Sequence, residues 1–153
     1  VCENIASMLN IKALRDATEA DLLTVKDKVT DENYQKALYV IQENQRAVKA
    51  SKAIKENDIP ALGELIYQSH NGLQNQYKVS CEELDFLVDQ AKLNGNVAGA
   101  RMMGGGFGGC TINLIAKNAS EAFKLTVSKA YKDKFNKDCY IYAVELSNGT
   151  HLI

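Results

Sequence analysis

Apolar residues recur every three or four positions through the first 94 residues, whereas beyond Gly95 they gather in short β-branched runs broken by glycine. That single change of period restricts the fold. Helices followed by a short strand–loop–strand–helix–strand succession pack as an α+β plate, with helices on one face of a largely antiparallel sheet. The punctuation agrees. Thr18 is placed to cap a helix with Glu19 and Asp21 in its first turn. Asp31 opens a longer segment to about Asn57, with Tyr34, Leu38, Ile41 and Val48 on one face. Asp58 caps the next helix, with Pro60 where its missing N–H costs nothing. Ser80 and Glu83 form a capping box before Leu84, Leu87, Val88 and Ala91, and Gly95 ends that helix. Strands are expected over Val97–Met103, Cys110–Ala116 and Cys139–Leu146, with a helix over 119–135. Asn148-Gly149 signals a turn into a short last strand at 150–153.

Composition places the chain among ordinary folded domains. Its 153 residues are 46% hydrophobic and 24% charged, with one Pro, enough for a single core without metals or disulfides. The net charge of −1 argues against a nucleic-acid binder. Residues 1–94 hold 11 basic and 15 acidic side chains, and residues 95–153 hold 7 and 4. The mildly positive last third suits either a phosphate-bearing ligand or a solvated face. No apolar run reaches the length of a membrane span. Val1, not Met, begins the chain, which reads as a segment of a longer protein. Cys2, Cys81, Cys110 and Cys139 form no C-x-x-C pair, and the histidines are His70 and His151. Zinc is not expected, and free thiols point to a reducing cytoplasm.

Five of the ten glycines fall in one stretch: Gly104, Gly105, Gly106, Phe107, Gly108, Gly109. Clustered glycine permits positive φ and removes Cβ atoms, so backbone amides can approach an anion. A simple hairpin tip is the competing reading, although ordering five glycines is entropically costly. The spacing Gly104-x-Gly106-x-x-Gly109 matches a dinucleotide fingerprint in letters only, because a strand follows where a helix is required. Nor does Gly109-Cys110-Thr111 supply the Gly-Lys-Ser/Thr of a P-loop. Arg101 stands just before the loop, placed either to lean over a phosphate or to pair with the acidic helices. Met103 sits at the loop's entrance. His70 is read as a packed or surface residue, and the lysines between 117 and 137 as a solvated face. Gly106→Val is expected to cost more in turnover than in stability.

Two blocks carry a family resemblance. GARMMGGGFGGCT, Gly99 to Thr111, resembles the third signature motif of galactokinases, which belong to the GHMP small-molecule kinase superfamily. SHNGLQNQYKVSCEELDFLV, Ser69 to Val88, is similar to a second run of that family, and Leu14-Arg15-Asp16 and Glu43-Asn44-Gln45-Arg46 also match in place. Met103 departs from the threonine of many members. The resemblance implies a ferredoxin-like GHMP C-terminal domain over 1–153, mainly helical to 94 and β–loop–β–α–β beyond. It implies that the N-terminal partner domain, with the serine-rich phosphate loop and the acidic base, lies outside this chain. No catalytic residue and no metal ligand would then be carried here, and the chain alone would be inactive with no cofactor bound. The whole enzyme would transfer the ATP γ-phosphoryl group to the anomeric hydroxyl of galactose, with Mg2+, in the cytoplasm. The loop 104–109, supported by Arg101 and Met103, would face sugar and phosphates. A galactose- and ATP-sensing regulator of the same fold, or a kinase for N-acetylgalactosamine or arabinose, fits the same residues. Neither nucleic acid nor membrane is an expected partner.

Overall fold

The structure, a computed structural model, describes residues 1–144 and Gly149. Among these described residues, six α-helices precede and flank one hairpin: α1 (Cys2–Met8), α2 (Glu19–Leu23), α3 (Asp31–Lys55), α4 (Ile59–Gly72), α5 (Glu82–Lys92), β1 (Val97–Met102), β2 (Thr111–Ile115) and α6 (Ser120–Phe135). Local chemistry sets the starts of α2 and α4. Thr18 and Asp21 cap each other reciprocally at α2, and the Asp58 carboxylate accepts from Ala61 N–H at α4. α3 opens at Asp31 as expected, and Thr30 caps it by accepting from Asn33 N–H.

The Ser80–Glu83 capping box does not form. Cys81 is the N-cap of α5 and makes no side-chain cap bond. Ser80 Oγ instead donates to Asp85, and Glu83 pairs with Lys137. A neighbour in the first turn of α5 has taken one side chain that a box would use, and a residue far along the chain the other.

β1 and β2 pair antiparallel from Val97↔Ile115 to Met102↔Thr111, with an irregularity between Val97 and Gly99. The expected α+β class holds, but the sheet of the described residues has two strands. Residues 139–142 keep a strand's alternation, but the segment forms no ladder among the described residues. Cys139 and Ile141 are half-buried, Ile141 against the core cluster under the hairpin, whereas Tyr140 and Tyr142 are 80% and 82% exposed. A strand exists only through its partner's backbone, and this segment reaches the core by side chains alone. Residues 145–148 and 150–153, with the expected turn, last strand and His151, lie outside the described residues.

Three apolar clusters hold the chain together. Ile5, Leu14, Leu22, Val25 and Ile41 join α1, α2 and α3. Val88, Ala91, Val97, Ala100, Phe123 and Val127 seat α5 and α6 on the hairpin. Tyr39, Leu73, Leu84 and Met102 bring α3, the turn that follows α4, α5 and β1 to one point beneath the glycine loop. Helix α4 lies directly on β1, because Gly63 and Gly99 have no side chains to separate them: a Cβ on Gly63 would collide with the carbonyl of Ala98.

Candidate functional site at the glycine loop

The loop from Met103 to Cys110 closes the hairpin, with Met103 N–H donating to the Cys110 carbonyl (2.9 Å). Gly104, Gly106, Phe107, Gly108 and Gly109 all have positive φ, from +60° to +136°. Glycine adopts these values without strain, which is what the clustering serves. Gly104, Gly105 and Gly108 have no atom within 4 Å of where a Cβ would stand. Their backbone faces open space that a side chain would otherwise occupy, a surface suited to an anion. Phe107 is the one non-glycine of this loop in the left-handed region; its N–H donates to the Val79 carbonyl (2.7 Å) while its ring is 77% exposed. Gly106 is not at an open tip. A Cβ there would collide with the carbonyl of Val79, so replacing Gly106 strikes packing as well as any ligand.

Beneath the loop lies a polar network that single-residue reasoning missed. Glu43 on α3 accepts from Ser69 Oγ on α4, from Arg101 Nη1 on β1 (3.2 Å) and from Arg46 Nε (2.7 Å). Arg101 also donates through Nε to the Met102 carbonyl (3.0 Å). Of its two expected placements, the ion pair with an acidic helix is the one formed. Arg46 stacks over the Tyr39 ring at 5.5 Å. His70, 2% exposed, accepts at Nδ1 from Met102 N–H (3.3 Å), and its Nε2 lies 3.3 Å from Asp85 Oδ1. Nδ1 therefore carries the lone pair and Nε2 the proton. Burial holds the imidazole below its ordinary pKa, opposed by the Asp85 charge. The packed reading of His70 is the correct one. Glu43, Ser69, Ser80 and Asp85 all fall inside the quoted motifs, and their shared destination was the signal available in the sequence.

The remaining candidates are ordinary. Lys124, Lys129, Lys134 and Lys137 pair with carboxylates of α6 and α5, and Lys132 with Asp138 just beyond α6. Leu14, of Leu14-Arg15-Asp16, is core. Met103 is 44% exposed at the loop's entrance. The four cysteines are free, with Cys110 exposed and burial raising the Cys139 thiol pKa. Among the described residues no three His, Cys, Asp or Glu side chains gather as a metal site, and no helix is long and apolar enough to cross a membrane.

The family model for the C-terminal part of GHMP kinases matches residues 50–133. A galactokinase of Thermotoga neapolitana is 39% identical over 152 residues, 99% of this chain and 42% of that protein. One of Clostridium perfringens is 37% identical over 148 residues, 96% of this chain and 38% of that protein. The crystal structure of Lactococcus lactis galactokinase complexed with galactose superposes with a TM-score of 0.83 at 30% identity, over 90% of this chain and 36% of that one. The chain thus spans about two fifths of the length of the relatives it matches.

Proposed function

The chain belongs to the family of GHMP kinase C-terminal domains, and from that premise we propose that it is the C-terminal domain of a galactokinase. In the reaction proposed for the whole protein, the anomeric hydroxyl oxygen of galactose attacks the γ-phosphorus of ATP. The bond from that phosphorus to the β–γ bridging oxygen breaks, the hydroxyl proton passes to a base outside this chain, and ADP leaves. Such transfer depends on positioning and on charge stabilisation more than on covalent help from the protein. The part assigned to this chain is to present the 104–109 backbone to sugar and phosphates and to exclude water from them. One observation carries the reading: positive φ along the loop, combined with open space over Gly104, Gly105 and Gly108. Mg2+ would enter with ATP and supply charge neutralisation, and its ligands are assigned to the rest of the protein. Arg101 supports the loop from below through Glu43 rather than by reaching over it. Free thiols fit a cytoplasmic setting.

Turnover of the full-length protein with ATP and galactose, N-acetylgalactosamine or arabinose tests this reading. Phosphorylation of galactose at C1 is expected, and none from residues 1–153 alone. Preference for another sugar, or binding of galactose and ATP without turnover, would replace the galactokinase assignment with a related kinase or a sensor.

A further inference from the structure

Two hydrogen bonds from one stretch of chain hold the glycine loop. At its root Met102 N–H donates to Nδ1 of His70, and at its crest Phe107 N–H donates to the Val79 carbonyl. Both acceptors lie in the Ser69–Val88 block. We propose that His70, oriented by Asp85, is a positioning residue for the loop: its Nδ1 lone pair fixes the peptide between Arg101 and Met102, and with it the point from which residues 104–109 depart. This rests on the reading of the loop as the face turned to ligand.

Packing alone gives no reason for a histidine here. An apolar side chain of similar size would fill a site that is 2% exposed, and a buried polar ring is costly unless its nitrogens are bonded. Both are. Met102 N–H is a donor that β2 does not take, and His70 takes it. Asp85 Oδ1 stands 3.3 Å from the other nitrogen and itself accepts from Ser80 Oγ, and a carboxylate on that side favours the tautomer with its proton on Nε2. Neither nitrogen is exposed to a substrate, so the ring acts through Met102 and does not itself exchange protons with a ligand.

Asp85→Asn in the full-length protein tests this directly. It keeps the volume but can donate to Nε2, and the ring then protonates at Nδ1, a donor facing a donor. His70→Leu removes the acceptor, and His70→Asn restores an acceptor oxygen near the same place. Amide exchange over Met102–Gly109, ring nitrogen shifts and steady-state kinetics are read together. Exchange should quicken about tenfold or more in Asp85→Asn and His70→Leu, as local opening becomes easier. In both, kcat should fall about 10–100-fold from misplacement of the loop, with KM for galactose within about threefold. His70→Asn should stay near wild type. Should His70→Leu fail to fold, Asp85→Asn carries the test. Unchanged exchange and kcat in folded Asp85→Asn, or a wild-type ring protonated at Nδ1, would overturn the inference. Quickened exchange in a protein that phosphorylates no sugar would support the positioning role and sink the function on which it was built.

Discussion

Gly63 on α4 and Gly99 on β1 touch backbone to backbone: a Cβ on Gly99 would stand 2.7 Å from the carbonyl oxygen of Gly63 and 2.8 Å from its Cα. From this contact helix and strand keep step. Seven residues along α4 lead to His70, about 10.5 Å at helical rise. Three residues along β1 lead to Met102, about 10 Å at strand rise. The glycine contact thus sets the separation at which His70 meets Met102.

Gly99→Ala is expected to destabilise the protein by about 1–3 kcal/mol, since backbone atoms must give way to the new methyl. Gly95 has negative φ and nothing within 4 Å of a new Cβ, so Gly95→Ala should stay within about 0.5 kcal/mol of wild type. Urea unfolding of the two variants makes the comparison. Equal midpoints would mean that α4 does not rest on β1 as described.

Within the loop, Gly105→Ala and Gly106→Ala should separate packing from ligand approach. Gly106 has φ +88° and abuts Val79, whereas Gly105 lies in open space without positive φ. Gly106→Ala should lower both the unfolding midpoint and turnover, with about 1–3 kcal/mol of backbone strain. Gly105→Ala should leave the midpoint alone and reduce kcat by about tenfold or more, as a methyl intrudes where backbone donors face the phosphates. Full turnover in Gly105→Ala would show that this face is not turned to ligand.

Glu43 and Arg101 should be coupled. Their side chains are 26% and 33% exposed, so screening limits the pair, and a double-mutant cycle with Glu43→Ala and Arg101→Ala should give about 0.5–1 kcal/mol. The Glu43 single variant should cost more than the Arg101 single variant, because Ser69 and Arg46 lose their acceptor as well. Additive single effects would remove Glu43 as the hub of the network.

His70 gives stability a pH dependence of definite sign. Burial lowers its pKa in the folded state; Asp85 and Asp89 oppose this, and Lys92 and Arg101 add to it. The unfolded chain therefore binds the proton more readily than the folded one. The contribution of neutral His70 is fully present above the unfolded value of about 6.5 and is lost as pH falls below it. Urea midpoints at pH 7.5, 6.5 and 5.5 should decline in wild type and decline less in His70→Asn. Parallel declines in the two proteins would exclude His70 as the source.

Local signals were the legible part of this fold. Thr18, Asp58 and Pro60 act within three or four residues of themselves, so their helix starts can be read directly. The glycine loop is legible for the same reason, since φ belongs to each residue by itself. Partners far along the chain were not legible. Ser80 and Glu83 satisfy every local condition for a capping box, yet Glu83 is taken by Lys137, 54 residues away. His70 finds its donor 32 residues on, and a lone histidine carries no mark of that. Gly63 within a helix reads only as a weak point until Gly99 is seen against it. The alternation of Cys139, Tyr140, Ile141 and Tyr142 is a genuine strand pattern, but it cannot state whether a partner strand is within reach.

The step kept between α4 and β1 constrains chain length more than residue identity. A surface loop such as 104–109 would ordinarily be where insertions are absorbed. The interval from Gly63 to His70 has no such slack. One residue added there would turn everything beyond it by about 100° and advance it about 1.5 Å, carrying the imidazole away from Met102 while Gly63 stayed seated on Gly99. Proteins built on this plan are expected to vary in composition along that interval and to keep its seven-residue count.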